Sequence, residues 1–244
     1  MTSSLPRSSS GPLCALAFSM LISSMGSSIA NVGLPTLAVA FNASFPQIQW
    51  VVLAYLLAVT ASVLAMGWLG DRFGRQRLLG YGVLLFSVAS LGCGLATHIG
   101  WLIAARVVQG LGGAMMMANT LALAIQVLPA DRTGRAMGLL GTVSAIGTAL
   151  GPALGGLLIA AAGWQALFLI NLPLGLLAWG LIQHSLPPAV NSVTAAPRGS
   201  LRALLRHGGL THGLLMSMAV TMVMMTTFIV GPFYLSHGLH LTPR

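Results

Sequence analysis

The sequence predicts an all-α transmembrane fold: an amino-terminal six-helix bundle followed by one additional helix. Three observations carry this. Of its 244 residues, 56% are hydrophobic and 5% charged, with a mean hydropathy of +0.90. A water-facing surface needs about 25% charged residues, so a soluble domain is excluded. The apolar runs are about twenty residues or longer, enough to cross a bilayer core. Basic residues gather in alternate gaps between those runs, the pattern of a chain crossing a membrane back and forth.

Residues 1–11 form a serine-rich tail, and residues 12–40 the first helix. The apolar run is too long for a signal peptide, so an uncleaved first helix is expected. Ser23, Ser24, Gly26, Ser27, Ser28 and Ala30 make it rich in small residues, which lets helices approach closely. Asn31 and Pro35 put a polar group and a helix breaker at membrane depth, positions expected to face a bundle interior or a cavity. A charge-free turn leads to the second helix, residues 48–70, with Trp50 as an interface anchor. The polar stretch Asp71–Arg77 reads as a tight loop before the third helix, residues 78–96. The fourth helix covers residues 101–128, and a polar segment ending at Arg135 closes it. The fifth helix, residues 136–162, is glycine-rich, and the sixth covers residues 166–185.

Residues 186–209 shift to Pro, Ser, Asn and Arg and read as a linker. A seventh apolar run spans residues 210–235, before a tail of residues 236–244. Nine of the eleven arginines fall before the first helix or in the gaps after the second, fourth and sixth. The positive-inside rule then places the N-terminus and the linker in the cytoplasm. The net charge of +9 is therefore a topology signal, and no nucleic-acid partner is expected. Cys14 and Cys93 lie in apolar runs and read as small buried hydrophobes. Paired carboxylates and Cys/His ligand spacing are missing, so neither an enzyme nor a metal or cofactor site is expected.

Arg106 is the exception to the charge pattern, inside the fourth helix. An arginine there costs about 2.5–3.5 kcal/mol on insertion scales. Two readings fit: snorkelling to the nearby interface, or facing a cavity with Gln109 on the same helical face and Gly110, Gly112 and Gly113 admitting a close neighbour. In the fifth helix Gly147, Gly151 and Gly155 recur at i+4 as a stripe without side chains, and Pro152 removes a backbone hydrogen bond within it. This favours a bent, sliding contact over static packing. Asp131-Arg132-x-Gly134-Arg135 echoes Asp71-Arg72-x-Gly74-Arg75, a hint of internal repetition.

These stretches together resemble the major facilitator superfamily, and within it the drug/proton antiporters. Gly67-x-Leu69-x-Asp71-Arg72-x-Gly74-Arg75-x-Arg77 is similar to the signature between the second and third helices. Leu102-x-x-x-Arg106-x-x-Gln109-Gly110-x-Gly112 resembles the fourth-helix motif. Gly147-x-x-x-Gly151-Pro152-x-x-Gly155-Gly156, with Gly138 before it, resembles the antiporter motif. Asn31-Val32-Gly33-Leu34-Pro35 is similar to the end of the first helix in multidrug exporters.

The resemblance implies proton-linked export of small amphipathic molecules across a lipid bilayer, in the cytoplasmic (inner) membrane of a bacterium. It implies a cytoplasmic latch of Gly67, Asp71, Arg72, Gly74, Arg75, Asp131 and Arg135. Without second-half helices to close on, its charges are expected to pair within the first bundle, Asp71 with Arg135 or Asp131 with Arg75. Proton coupling falls to Arg106, and the substrate cavity to Asn31, Tyr55, Arg106, Gln109 and Asn119. Gly147, Gly151, Pro152, Gly155 and Gly156 would mark an exporter. Two departures stand out. Many such exporters have an aspartate where this chain has Gly26, and no predicted helix contains any Asp or Glu. The family has twelve or fourteen helices in two halves, and the alternative is a truncated, non-transporting half that docks on a second half or pairs as a homodimer.

Overall fold

A computed structural model describes residues 10–127, 130–186 and 216. The helices are α1 (Ser10–Ala40), α2 (Phe45–Phe73), α3 (Arg75–Gly94), α4 (Ile99–Val127), α5 (Ala130–Ala162), α6 (Ala166–Leu169) and α7 (Asn171–Ser185). Six spans among the described residues are long and apolar enough to cross a membrane, α6 and α7 together making the sixth. The chain divides by compactness into Met1–Ser192 and Val193–Arg244. The predicted linker beyond Leu186 and the predicted seventh helix lie outside the described residues, apart from Met216.

The helices outrun their apolar stretches. The expected loop Asp71–Arg77 shrinks to one non-helical residue, Gly74, at φ 96°. That backbone region strains any side chain with a Cβ, which is why glycine stands there. Asp71 and Arg72 end α2, while Arg75 and Arg77 open α3. The polar segment before residue 136 is likewise the first turns of α5, carrying Asp131, Arg132 and Arg135. Hydropathy marks where a chain leaves the hydrocarbon, not where its helical hydrogen bonds stop. At the start of α2 the helix reaches back to Phe45 because Gln47 Oε1 accepts the Ser44 N–H at 2.9 Å.

The sixth span breaks at Ile170. Pro173 supplies the cause: it has no N–H to donate to Leu169, four residues earlier, and its ring crowds that carbonyl. Pro152 sits inside an unbroken α5 and frees the Thr148 carbonyl in the same way. There the loss is made good across the interface, where Ser28 Oγ of α1 donates to Thr148 O at 2.7 Å.

α1 packs chiefly on α5, α4 on α2 and α3, and α7 on α3 and α1. α3 and α4 approach closely. A Cβ built on Gly112 would lie 2.7 Å from Phe86 N and 2.9 Å from Gly82 O, so backbone meets backbone. Gly110 plays the same part toward α2, with Tyr55 O at 2.7 Å from its notional Cβ. Two apolar clusters fill the interior, one around Leu16, Phe86, Met116 and Ile182, the other around Ile29, Val51, Leu102 and Phe168. At one end of the bundle Phe41 and Trp164 rings meet at 5.1 Å. At the other, Gln76 Nε2 donates to Leu186 O at 3.2 Å, so the first residue of the expected linker is packed into the bundle. Cys14, expected to be buried, is exposed on the outer surface, whereas Cys93 is buried.

Candidate functional site

α4 is set in place at its first turn. His98 Nδ1 accepts the Trp101 N–H at 3.1 Å, and Trp101 Nε1 donates to Gly92 O of α3 at 2.9 Å. One turn further, Arg106 turns inward and is 0% exposed. Its guanidinium does not snorkel to the interface. Nε donates to Val51 O of α2 at 2.9 Å, and Nη1 to Gln109 Oε1 at 2.6 Å. A longer contact of 3.4 Å runs from Nη1 to Gly26 O of α1. The cation lies over the Tyr55 ring, 4.2 Å from its centroid, with the Phe168 ring at 6.0 Å. Aromatic faces attract a cation electrostatically, and more strongly once water is excluded.

The network continues into α3. Gln109 Nε2 donates to Ser90 Oγ at 2.6 Å, and Ser90 Oγ donates to Phe86 O at 2.8 Å. The Cys93 thiol lies 3.9 Å from Gln109 Oε1. One guanidinium thus ties together α1, α2, α3 and α4. Among the described residues its Nη2 has no hydrogen-bond partner. Among the described residues its charge also meets no carboxylate. Asp71 pairs with Arg75 at 2.6 Å, and Asp131 lies 3.9 Å from Arg132. A buried charge is ordinarily paired, and this one is held by neutral dipoles and rings.

Of the expected cavity residues, the fold gathers Tyr55, Arg106 and Gln109. Asn31 is exposed on α1 and takes no part in the cluster. Asn119 is buried further along α4, donating from Nδ2 to its own helix at Met115 O, 2.8 Å away. Its Oδ1 fills the place a Cβ on Gly70 would need, so this pair sets the α2–α4 spacing. Ser90, Cys93, Phe86 and the Gly26 carbonyl join the site without having been singled out as its members. Ser90 and Cys93 are single small residues in apolar runs, with no spacing signal of their own.

The helix-5 glycines divide by face. Gly147, Gly151 and Gly155 lie on α1, against Ser24, Ser28 and Ile29. Gly156 has nothing within 4 Å of a notional Cβ, and Pro152 is exposed. At the α2–α3 turn the expected latch pairings are not formed. Asp71 Oδ1 takes both Arg75 Nε at 2.8 Å and Nη2 at 2.6 Å, one helical turn away, instead of reaching Arg135. Asp131 lies beside Arg132 and not Arg75. Sequence separation explains this: i,i+4 partners meet without a loop having to bring them together. Gly67, expected to tighten the turn, is a helical residue of α2 with open space around it. The Asp71 side chain is 44% exposed, and such pairs contribute about 0–1 kcal/mol. Asp71→Asn is therefore expected to leave the thermal midpoint of the purified protein within about 3 °C of the native value. A larger fall would mean that the pair holds more than this turn.

Residues 16–243 match the family description Major Facilitator Superfamily. The chain belongs to the major facilitator superfamily. As a member it is a transporter-family protein and not an enzyme. It is 37% identical over 178 residues to the riboflavin transporter RibZ of Clostridioides difficile, covering 73% of this chain and 39% of that protein. It is 36% identical over 172 residues to MdtD of Cronobacter sakazakii, a protein named for multidrug resistance, covering 70% and 36% respectively. This superfamily member thus spans less than half the length of these relatives. Among solved structures it resembles an inward-facing bacterial homologue of the human lysosomal transporter Spinster, with a TM-score of 0.70, 18% identity, and 84% and 49% of the two chains covered. It also resembles the proton:xylose symporter XylE, with a TM-score of 0.66, 15% identity, and 72% and 44% covered. At these identities the likeness is one of fold.

Proposed function

We propose that the chain works in proton-coupled export of small amphipathic molecules by alternating access. The buried Arg106–Gln109–Tyr55 cluster carries this reading. An ionised group kept at membrane depth against its insertion cost marks a substrate or ion pathway. The Gly147–Gly151–Gly155 face on α1 and the relative named for multidrug resistance support the direction of transport. In this reading Arg106, Gln109 and Tyr55 line the cavity, and Asp71, Arg72, Arg75 and Arg135 steady one conformation at the arginine-rich end. Gly147, Gly151, Pro152, Gly155 and Gly156 form the surface on which α1 and α5 rearrange. The arginine-rich end faces the cytoplasm, and the membrane is the bacterial inner membrane.

The test is reconstitution of the 244-residue chain into liposomes. Addition of an amphipathic drug is expected to drive proton flux, and Arg106→Ala to reduce it at least tenfold. Flux no greater than in empty liposomes would sink the transporter reading for this chain.

A further inference from the structure

Among the described residues the Arg106 guanidinium meets no carboxylate. α1 reaches it by backbone alone, the Gly26 carbonyl lying 3.4 Å from Nη1. A Cβ on Gly26 would collide with the Phe86 ring. Phe86 is itself 1% exposed, and its backbone N and Cα lie 2.7 Å and 3.0 Å from the Cβ position of Gly112, so it is held in place from α4. An acidic side chain at position 26 would therefore have to displace that ring. Among the described residues the guanidinium's other contacts are neutral dipoles or ring faces: Val51 O, Gln109 Oε1, Tyr55 and Phe168. Asp71 and Asp131, the only acidic side chains of the chain, are engaged at the turns. What remains is an unpartnered Nη2 on a fully buried cation beside a weak 3.4 Å contact.

We propose that Arg106 receives the acidic group of an anionic aromatic substrate, so that the substrate supplies the counter-ion the bundle lacks. This rests on the transporter reading for its setting and names the substrate class within it. A planar guanidinium presents a fork of N–H donors that matches a carboxylate or phosphate. With Nε on Val51 and Nη1 on Gln109, Nη2 and the outer edge of Nη1 are the donors left for such a group. The rings of Tyr55 and Phe168 lie against the guanidinium and supply an apolar face for an aromatic body. Binding would remove an uncompensated charge, so differential affinity for an anion over a neutral isostere follows directly from the site.

The experiment uses the full chain in detergent micelles and three probes of one shape: naphthoate, naphthamide and naphthylmethylammonium. Equilibrium binding is expected to favour naphthoate over naphthamide at least tenfold, with the cation weakest. Arg106→Met should abolish the preference. The double variant Gly26→Asp/Phe86→Ala, which makes room for an internal carboxylate beside Arg106, should abolish it as well while keeping the arginine. Equal or tighter binding of the amide or the cation would overturn the proposal. So would no binding by any probe, or a preference that survives Arg106→Met. The two readings fail separately. Cation-driven flux lost in Arg106→Ala would leave transport standing and reject the anion site. Naphthoate binding through Arg106 without flux would do the reverse.

Discussion

Gly112→Ala is expected to destabilise the bundle by about 1–3 kcal/mol, although alanine is the better helix former. The added methyl would sit 2.7 Å from Phe86 N, 2.9 Å from Gly82 O and 3.0 Å from Phe86 Cα. All three are backbone atoms, so no rotamer change relieves the clash and α3 must move away from α4. That shift would also pull Ser90 from Gln109 and loosen the support of Arg106. At about 2–4 °C per kcal/mol for a chain of this size, the thermal midpoint by tryptophan fluorescence should fall by roughly 2–12 °C. Gly156→Ala and Gly138→Ala serve as controls, because nothing lies within 4 Å of either notional Cβ. Their midpoints should stay level or rise. A Gly112→Ala protein as stable as the controls would show that α3 and α4 do not meet as described.

Arg106→Met is expected to give the opposite pattern, with function lost and stability kept. The native arginine is stripped of water at a cost of several kcal/mol per ion, and no carboxylate returns it. Methionine has a similar length, no charge and enough flexibility to fill the space. Few groups are orphaned by the change. Val51 O remains a carbonyl within α2, and Gln109 Oε1 keeps the Cys93 thiol 3.9 Å away. The thermal midpoint should therefore match or exceed the native one, while substrate-driven flux falls at least a hundredfold. A midpoint well below the native value would mean that the guanidinium bonds to Val51 and Gln109 outweigh its desolvation.

Arg106 also shows how much of the site was legible in advance. A lone arginine in an apolar run must be either a snorkelling end or a functional interior group, and Gln109 at i+3 pointed inward. Its partners on other helices were not legible, because two of them are backbone carbonyls, Val51 O and Gly26 O, which any residue would offer. Phe86 and Phe168 carry no polar signal in the sequence, and both pack in the core. Asn31 and Asn119 stand apart from the Arg106 cluster for a related reason. Polarity says that a side chain in a membrane helix needs a partner, but not which helix supplies it. Asn119 finds Met115 O in its own helix, and Asn31 is exposed on α1.

The sequence by itself determined the class and the path of the chain. Apolar length set six of the spans, and glycine spacing marked close contacts. These are local properties, carried by periodicity and by the cost of placing charge in hydrocarbon. Tertiary structure alone decided where the charges go. It reduced the polar loop to Gly74, kept Asp71 on Arg75 within one helical turn, and enclosed Arg106 beneath Tyr55 with no acid in reach. The cause is physical: a counter-ion is a matter of distance across helices, and on α1 the Phe86 ring fills the space that a side chain at Gly26 would need.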